Sequence, residues 1–226
     1  MKIRKFTYTI AHIHVLTFKD HIKAIIAPYF AYEPLEYGVD NEGTLQENVR
    51  LIFRNAGFIM QFNKELATLL YEGDIMEVKK HNPVIDIFFE IYEKIKKIDG
   101  FVKVKSHNLS TDSIKLFEKT DYLTLLENNK YLWNPYKNVE EFATILEFQK
   151  EGKYYRLQFG NYNEKDIAKL NLLPLKVNYN KDMFGSFGLL GQLLIREDVT
   201  TPTFTKLKTL IIDTENTLNQ YLATDE

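Results

Sequence analysis

The sequence predicts an α+β protein, and three observations carry that prediction. Apolar and polar residues alternate over residues 3–16, which is typical of a strand. Apolar residues then recur with helical spacing from Phe18, where Thr17-Phe18-Lys19-Asp20 has the form of a capping box. A second helix is predicted at Asn82, a cap residue that is followed by proline.

The first strand has two distinct faces. One face carries Phe6, Tyr8, Ile10, His12, His14 and Leu16, and the other carries Thr7, Thr9, Ala11, Ile13 and Val15. We expect the threonine-containing face to pack under the helices. This arrangement places Phe6, Tyr8, His12 and His14 on an open face. The helix that follows is expected to bend or end near Pro28.

A hairpin and a further strand are predicted after a loop at residues 31–47. Residues 49–53 and 58–62 alternate in polarity around Asn55-Ala56-Gly57, which indicates a turn. Residues 66–71 are a candidate third strand. The second helix is predicted to end at Asp99-Gly100, and its buried stripe consists of Val84, Phe88, Ile91, Ile95 and Ile98. Residues 101–107 alternate again, as a strand does.

The order strand, helix, two strands, helix, strand over residues 3–109 is that of a ferredoxin-like sandwich. We assign residues 1–110 to this α+β unit and residues 111–139 to a connector with a short helix near 122–127. Residues 140–226 are predicted to form β-hairpins plus an amphipathic C-terminal helix from Thr201-Pro202. The predicted strands are 144–149, 154–159, 172–179 and 189–196. The two halves either form separate domains or share one core.

Composition excludes several classes of protein. The 226 residues contain no cysteine, which excludes disulfides, thiolate metal sites and cysteine nucleophiles. The formal net charge is -2, so no global field attracts nucleic acid or anionic lipid. Polar residues interrupt the sequence behind the charged N-terminus, and every apolar stretch is shorter than the roughly 20 residues of a spanning helix. We therefore expect a cytoplasmic protein without membrane segments.

His12 and His14 are the candidates for catalysis. Two residues apart in a strand, they project from the same face and could share a ligand or a metal. A metal site needs at least a third ligand, and no other histidine or carboxylate has a spacing that supplies one. We predict no metal and no cofactor. Because no catalytic motif is present, the sequence favours a protein that is not an enzyme.

The predicted open face also carries cations. Its candidate nucleic-acid-binding residues are Tyr8, Arg50, Arg54, Lys103, Lys105 and His107. Such a surface resembles the RNA-reading sheet of an RRM, where aromatic rings stack on bases and cations hold phosphates. The RNP signature motifs are absent from these strands. The alternative is that the second half or a partner subunit packs on this face.

Three functions stay open from the sequence. The favoured one is a non-enzymatic interaction protein, a subunit or adaptor of a bacterial or phage assembly, which binds a protein partner or a second copy of itself. The alternative is a nucleic-acid-binding protein that uses the basic open sheet face. The second alternative is a histidine-dependent nuclease or hydrolase built around His12 and His14.

Overall fold

The computed structural model describes residues 2–32, 35–73, 75–80, 82–116, 143–162, 188–199 and 201–222. The strands are β1 (Lys2–His12), β2 (Leu35–Asp40), β3 (Asn48–Phe53), β4 (Phe58–Asn63), β5 (Leu66–Glu72), β6 (Val104–Leu116), β7 (Ala143–Lys150), β8 (Lys153–Tyr162) and β9 (Gly188–Glu197). The α-helices are α1 (Phe18–Ile26), α2 (Ile75–Lys79), α3 (Pro83–Ile95) and α4 (Phe204–Leu222). The predicted helix near 122–127 and the predicted strand at 172–179 lie outside the described residues.

The nine described strands form one antiparallel sheet in the order β2-β3-β4-β5-β1-β6-β9-β8-β7. β1 lies in the interior of the sheet, with β5 on one side and β6 on the other. β6 also pairs with β9, so strands from both halves of the chain belong to the same sheet. The α+β class is therefore confirmed, whereas the ferredoxin-like arrangement is not, because this sheet is much larger than four strands.

β2 lies in a segment that the sequence analysis assigned to a loop. The segment gives little local indication of a strand, because the residues that alternate with Tyr37 and Val39 have low strand propensity: Glu36, Gly38 and Asp40. The pairing of β2 with β3 over six residues stabilises this strand, although its local sequence does not favour one. The predicted hairpin is therefore the middle of a four-stranded meander, in which β3 and β4 are joined by a short 3-10 helix, Arg54–Ala56, and by Gly57 at a φ of 73°.

The helices pack on one face of the sheet, which we call the inner face. In β1 this face carries Phe6, Tyr8, Ile10 and His12, all of them buried. The ring of Phe88 in α3 contacts the rings of Tyr8 and Phe62. In α4 the residues Leu207, Leu210, Ile211 and Leu218 are buried in the same core.

The predicted orientation of β1 is therefore wrong. Thr7, Thr9 and Ala11 lie on the opposite side of the sheet, which we call the outer face, and the aromatic set lies under the helices. The physical reason is burial: two aromatic rings remove far more apolar surface from water than two threonine methyl groups do. The strand also ends at His12, so Leu16 falls outside it and is 65% exposed.

A bulge between β1 and β6 overturns a second predicted orientation. Ala11 pairs with Ser106 and His12 pairs with Val104, which leaves Lys105 as an extra residue. The extra residue reverses the alternation that follows it. Val104 and His107 consequently both face inward, and the prediction that His107 lies on the open face is wrong.

The three helices predicted from cap or proline signals are present, although at the start of α1 the Thr17 side chain makes no capping hydrogen bond. The Asn82 side chain accepts a hydrogen bond from the Val84 amide at 2.9 Å, and Pro83 occupies the first turn of α3. α4 begins at Phe204, just after Pro202, and Leu207, Ile211 and Leu218 on its apolar face are buried. Within the described ranges, no helix has the length and apolar character needed to cross a membrane.

The buried stripe of α3 gives a test of the core. Ile91 is fully buried, whereas Ile212 on α4 is half-exposed. We expect Ile91→Asp to unfold the protein, because an unpaired buried carboxylate costs several kcal/mol. The matched change Ile212→Asp leaves the carboxylate in water and should retain the fold. Urea unfolding followed by circular dichroism compares the two, and equal stability of both variants would contradict this description of the core.

Candidate functional site

Two of the predicted nucleic-acid-binding residues form a buried hydrogen-bonded chain on the inner face. The Tyr8 hydroxyl donates to Nδ1 of His107 at 2.7 Å, and Nε2 of His107 donates to a carboxylate oxygen of Glu197 at 3.1 Å. Burial raises the pKa of Tyr8 and lowers the pKa of His107, which keeps the phenol protonated and the imidazole neutral. The chain joins β1, β6 and β9.

This chain is surrounded by ion pairs that hold α4 to the sheet. Lys206 of α4 lies 3.9 Å from Glu197, and Lys153 of β8 lies 2.6 Å from Asp213 of α4. Burial acts to raise the pKa of Glu197, but the hydrogen bond from His107 and the nearby lysines outweigh it and lower the pKa. Tyr8 and His107 are fully buried, so these two side chains lie inside the packed core and not on an accessible surface of the described residues.

The two candidate catalytic histidines lie in different environments. His12 is buried with its ring 5.9 Å from that of Tyr92 and 5.5 Å from that of Phe101. His14 lies beyond the end of β1, is half-exposed, and contacts Glu65 at 2.7 Å. Among the described residues, no three histidine or carboxylate side chains are grouped so that they could hold a metal ion. The structure therefore does not bring these two histidines into one open pocket.

The outer face carries a continuous line of polar side chains, which we call the polar row. Each member lies directly opposite the next across eight neighbouring strands. In spatial order they are Arg50, Gln61, Thr68, Thr9, Asn108, Arg196, Tyr154 and Gln149. With strands about 4.8 Å apart, the row is about 34 Å long.

The polar row consists of hydrogen-bonding side chains along its whole length. It contains amides, hydroxyls and two guanidinium groups, but no carboxylate. Its central members are half-buried, as expected for side chains standing side by side on a sheet, and the hydroxyls of Thr9 and Thr68 lie 3.5 Å apart. Such a surface offers hydrogen-bond donors and acceptors without a dominant charge.

The predicted cations divide into two groups. Arg50 is in the polar row and contacts Asp40 at 2.9 Å. Arg54 lies in the turn after β3, where it makes two hydrogen bonds to Glu36 at 2.8 and 3.0 Å. Lys103 and Lys105 are exposed beside the β6 bulge and have no carboxylate partner within the described part of the chain. Of the four predicted cations, these two therefore remain free for a ligand in that part of the chain.

The end of the outer face near Lys5 is less accessible. Lys5 is 3.9 Å from Asp112, and the opposite residue on β5, Glu72, is fully buried. Burial raises the pKa of Asp112, while the hydrogen bond from Gln192 and the charge of Lys5 act to lower it. At the opposite end of β1, the outer-face Ser106 is also buried, whereas the bulge residue Lys105 is exposed.

Sequence reasoning missed most of the polar row. Thr9 was assigned to the covered face, and Asn108 lies beyond the bulge that reversed the alternation. The missed signal was a polar residue that stands between two buried apolar residues of the same strand, as Gln61 does between Met60 and Phe62. Their alignment into one row depends on strand register, which no single strand encodes.

Comparisons with known proteins identify no family. No protein-family model matches the chain, and no curated protein matches it. Among solved structures, one match is the structure of a rolling circle replication initiator protein from Geobacillus stearothermophilus. The match has 10% sequence identity and a TM-score of 0.31, and it covers 97% of this chain and 84% of that chain. A TM-score of this size carries no argument about this protein.

The buried position of His12 predicts a loss of stability in mild acid. Burial lowers its pKa from 6.5 to about 4, so the unfolded chain binds more protons between those pH values. The contribution of His12 is fully present above about pH 6.5 and is lost as the pH falls toward 4. We expect this group to remove roughly 2 kcal/mol of stability between pH 7 and pH 5.

Urea unfolding at these two pH values measures the loss. The variant His12→Leu should flatten the pH dependence, because it removes the group that is protonated only on unfolding. His14→Leu removes the exposed histidine instead and should retain the dependence of the parent protein. An unchanged pH dependence in His12→Leu would show that another group is responsible.

Proposed function

We propose that this protein binds single-stranded nucleic acid along the polar row. The observation that carries the proposal is the row itself: eight aligned side chains that contain two arginines and no carboxylate. Net charge does not favour nucleic acid, so binding rests on local hydrogen bonding and a few cations. Lys103 and Lys105, exposed near the start of β6, would add positive charge beside the row.

Each type of side chain in the row has a part in such a complex. The amides of Gln61 and Asn108 can donate to and accept from base edges, as glutamine and asparagine do in nucleic-acid complexes. Threonine hydroxyls commonly contact phosphate oxygens, and arginine binds phosphate through paired N–H groups. The ring of Tyr154 offers a stacking surface for a base.

A flat row fits a single strand better than a duplex. Reading duplex DNA requires an element that enters the major groove, which is about 12 Å wide. The polar row crosses the strands of a broad sheet, so its side chains lie in one surface and do not form an element that could enter a groove. A single strand, whose bases can splay outward, can instead lie along about 34 Å of sheet.

The first test places a carboxylate at the centre of the row. Thr9→Glu should weaken binding of a labelled single-stranded oligonucleotide roughly tenfold or more, because the carboxylate repels phosphate. Thr205→Glu makes the same change at an exposed position of α4 and should leave the affinity unchanged. Fluorescence anisotropy at low and then high salt measures both. Absence of binding by the parent protein at low salt would contradict the proposal.

A second test uses the free cations. Lys103→Glu together with Lys105→Glu should weaken binding, because carboxylates would then face the phosphates. The melting temperature should be unchanged, because both side chains are exposed. The control is Lys97→Glu together with Lys208→Glu, which makes the same charge change just after α3 and on α4. Unaltered affinity in the Lys103 and Lys105 variant would remove these lysines from the binding surface.

A non-enzymatic interaction protein, a subunit or adaptor, is the second candidate. It is favoured by a group of eight outer-face side chains on β4, β5, β1 and β6 that carry no charge: Ile59, Gln61, Thr68, Leu70, Thr7, Thr9, Asn108 and Ser110. Depletion of charge is typical of the centre of a protein interface. Light scattering joined to the absorbance ratio at 260 and 280 nm separates the candidates, because bound nucleic acid raises that ratio.

The histidine-dependent hydrolase stays a hypothesis with less support, since His12 is enclosed by aromatic rings.

For the fold, we propose that β4, β5, β1 and β6 with α1 and α3 form a ferredoxin-like unit within the larger sheet. The support is that β5 and β6 both lie antiparallel beside β1, and α3 connects them in the chain.

A further inference from the structure

We propose that α4 is a separable helix: it leaves the sheet as a unit while the rest of the described fold stays intact, and salt promotes its release. α4 packs on β6, β9 and α3. The residues on its other side are exposed along the whole helix: Thr205, Thr209, Ile212, Asn216 and Asn219. α4 is therefore held by the fold along one side only.

The apolar contact that holds α4 is interrupted in its middle. The buried hydrophobic residues fall into two groups, Leu207, Leu210 and Ile211 near the start and Leu218 near the end. Between these groups the buried residues are Thr214 and Thr217. Every buried residue of the shorter α3 is, by contrast, hydrophobic. Because burial of apolar surface is the main force that holds a helix to a core, α4 is held less firmly than α3.

Release of α4 breaks no buried hydrogen bond among the described residues. The Thr214 hydroxyl donates to the Leu210 carbonyl at 2.9 Å, so this bond stays within α4. The chain of Tyr8, His107 and Glu197 lies entirely in the sheet and keeps its bonds when the helix leaves. Buried polar groups that stay paired in both states do not oppose the opening.

The polar links between residues 204–220 of α4 and the other described elements are ion pairs. They join α4 to β9, β8 and α2: Lys206 with Glu197 at 3.9 Å, Asp213 with Lys153 at 2.6 Å, and Glu215 with Lys79. All six side chains are partly exposed, between 13% and 41%. Dissolved salt screens such pairs, so it weakens the hold on α4 more than the hold on the apolar α3.

The two states of this device differ in one apolar strip. Release uncovers Leu207, Leu210, Ile211 and Leu218 together with the part of the inner face that they cover. A ligand that binds this strip would shift the equilibrium toward the open state. The device does not depend on the proposed nucleic-acid binding, because α4 lies on the inner face and the polar row on the outer face.

Hydrogen exchange of the unmodified protein tests the separation of α4. Its amides should exchange roughly tenfold or more faster than those of α3, because local release requires less free energy than global unfolding. Raising NaCl from about 0.05 M to about 1 M should accelerate exchange in α4 and leave α3 unchanged. Equal protection of the two helices, at the level set by global unfolding, would overturn the proposal.

The absence of cysteine allows a second test, because one introduced thiol is then the only one in the chain. Thr214→Cys alters a fully buried position of α4 with little change in size. Its thiol should react with a labelling reagent faster than that of Ala67→Cys, which is fully buried on the inner face of β5. Urea unfolding gives the labelling rate expected from global unfolding for each variant. Labelling of Thr214→Cys at only that rate would contradict a separable α4.

A charge variant tests the part that the ion pairs have. In the Thr214→Cys protein, Asp213→Asn removes the charge that pairs with Lys153. It should speed labelling several-fold at low salt and have little effect at high salt, where the pair is already screened. Asp20→Asn makes the same change at an exposed position of α1 and is the control. An effect of Asp213→Asn that is absent at low salt, or equal at both salt concentrations, would overturn the role of salt.

Discussion

The rest of the structure depends on the interior position of β1. It is hydrogen-bonded to β5 on one side and to β6 on the other, so both of its edges are satisfied. Because side chains alternate along a strand, burying Phe6, Tyr8 and Ile10 under the helices forces Thr7 and Thr9 onto the outer face. Cross-strand register then transmits this choice to every neighbouring strand, and the polar row is its consequence.

The polar groups of the inner face serve the fold. Buried hydroxyl and imidazole groups need hydrogen-bond partners, and Tyr8, His107 and Glu197 satisfy one another in a single chain. This chain crosses from β1 through β6 to β9, so it ties together strands that are distant in the sequence. These side chains therefore contribute to packing on the inner face, whereas the proposed binding uses the outer face.

Charge pairing limits the positive field of the outer face. Arg50 and Arg54 are each held by a carboxylate of β2, so the surface has a smaller positive field than its number of cations indicates. Recognition by hydrogen bonds and shape then has more weight than attraction at a distance. For a nucleic-acid ligand, the salt dependence of binding would be correspondingly shallow, since few phosphates are neutralised.

Local signals in the sequence determined the elements that depend on neighbouring residues. The proline and cap of α3, the glycine turn after β3 and the alternation of β7 and β8 were all recognisable, because each is set by a few adjacent side chains. The α+β class followed from the same periodicities.

Only the tertiary structure decided which face of β1 the helices cover, that β2 is a strand, and that β6 pairs with β9. The single extra residue at Lys105 reverses the direction of His107, and nothing in the local sequence marks it. These features depend on pairing between segments far apart in the chain, where a shift of one residue exchanges the two faces of a strand. The polar row exists only once those registers are fixed.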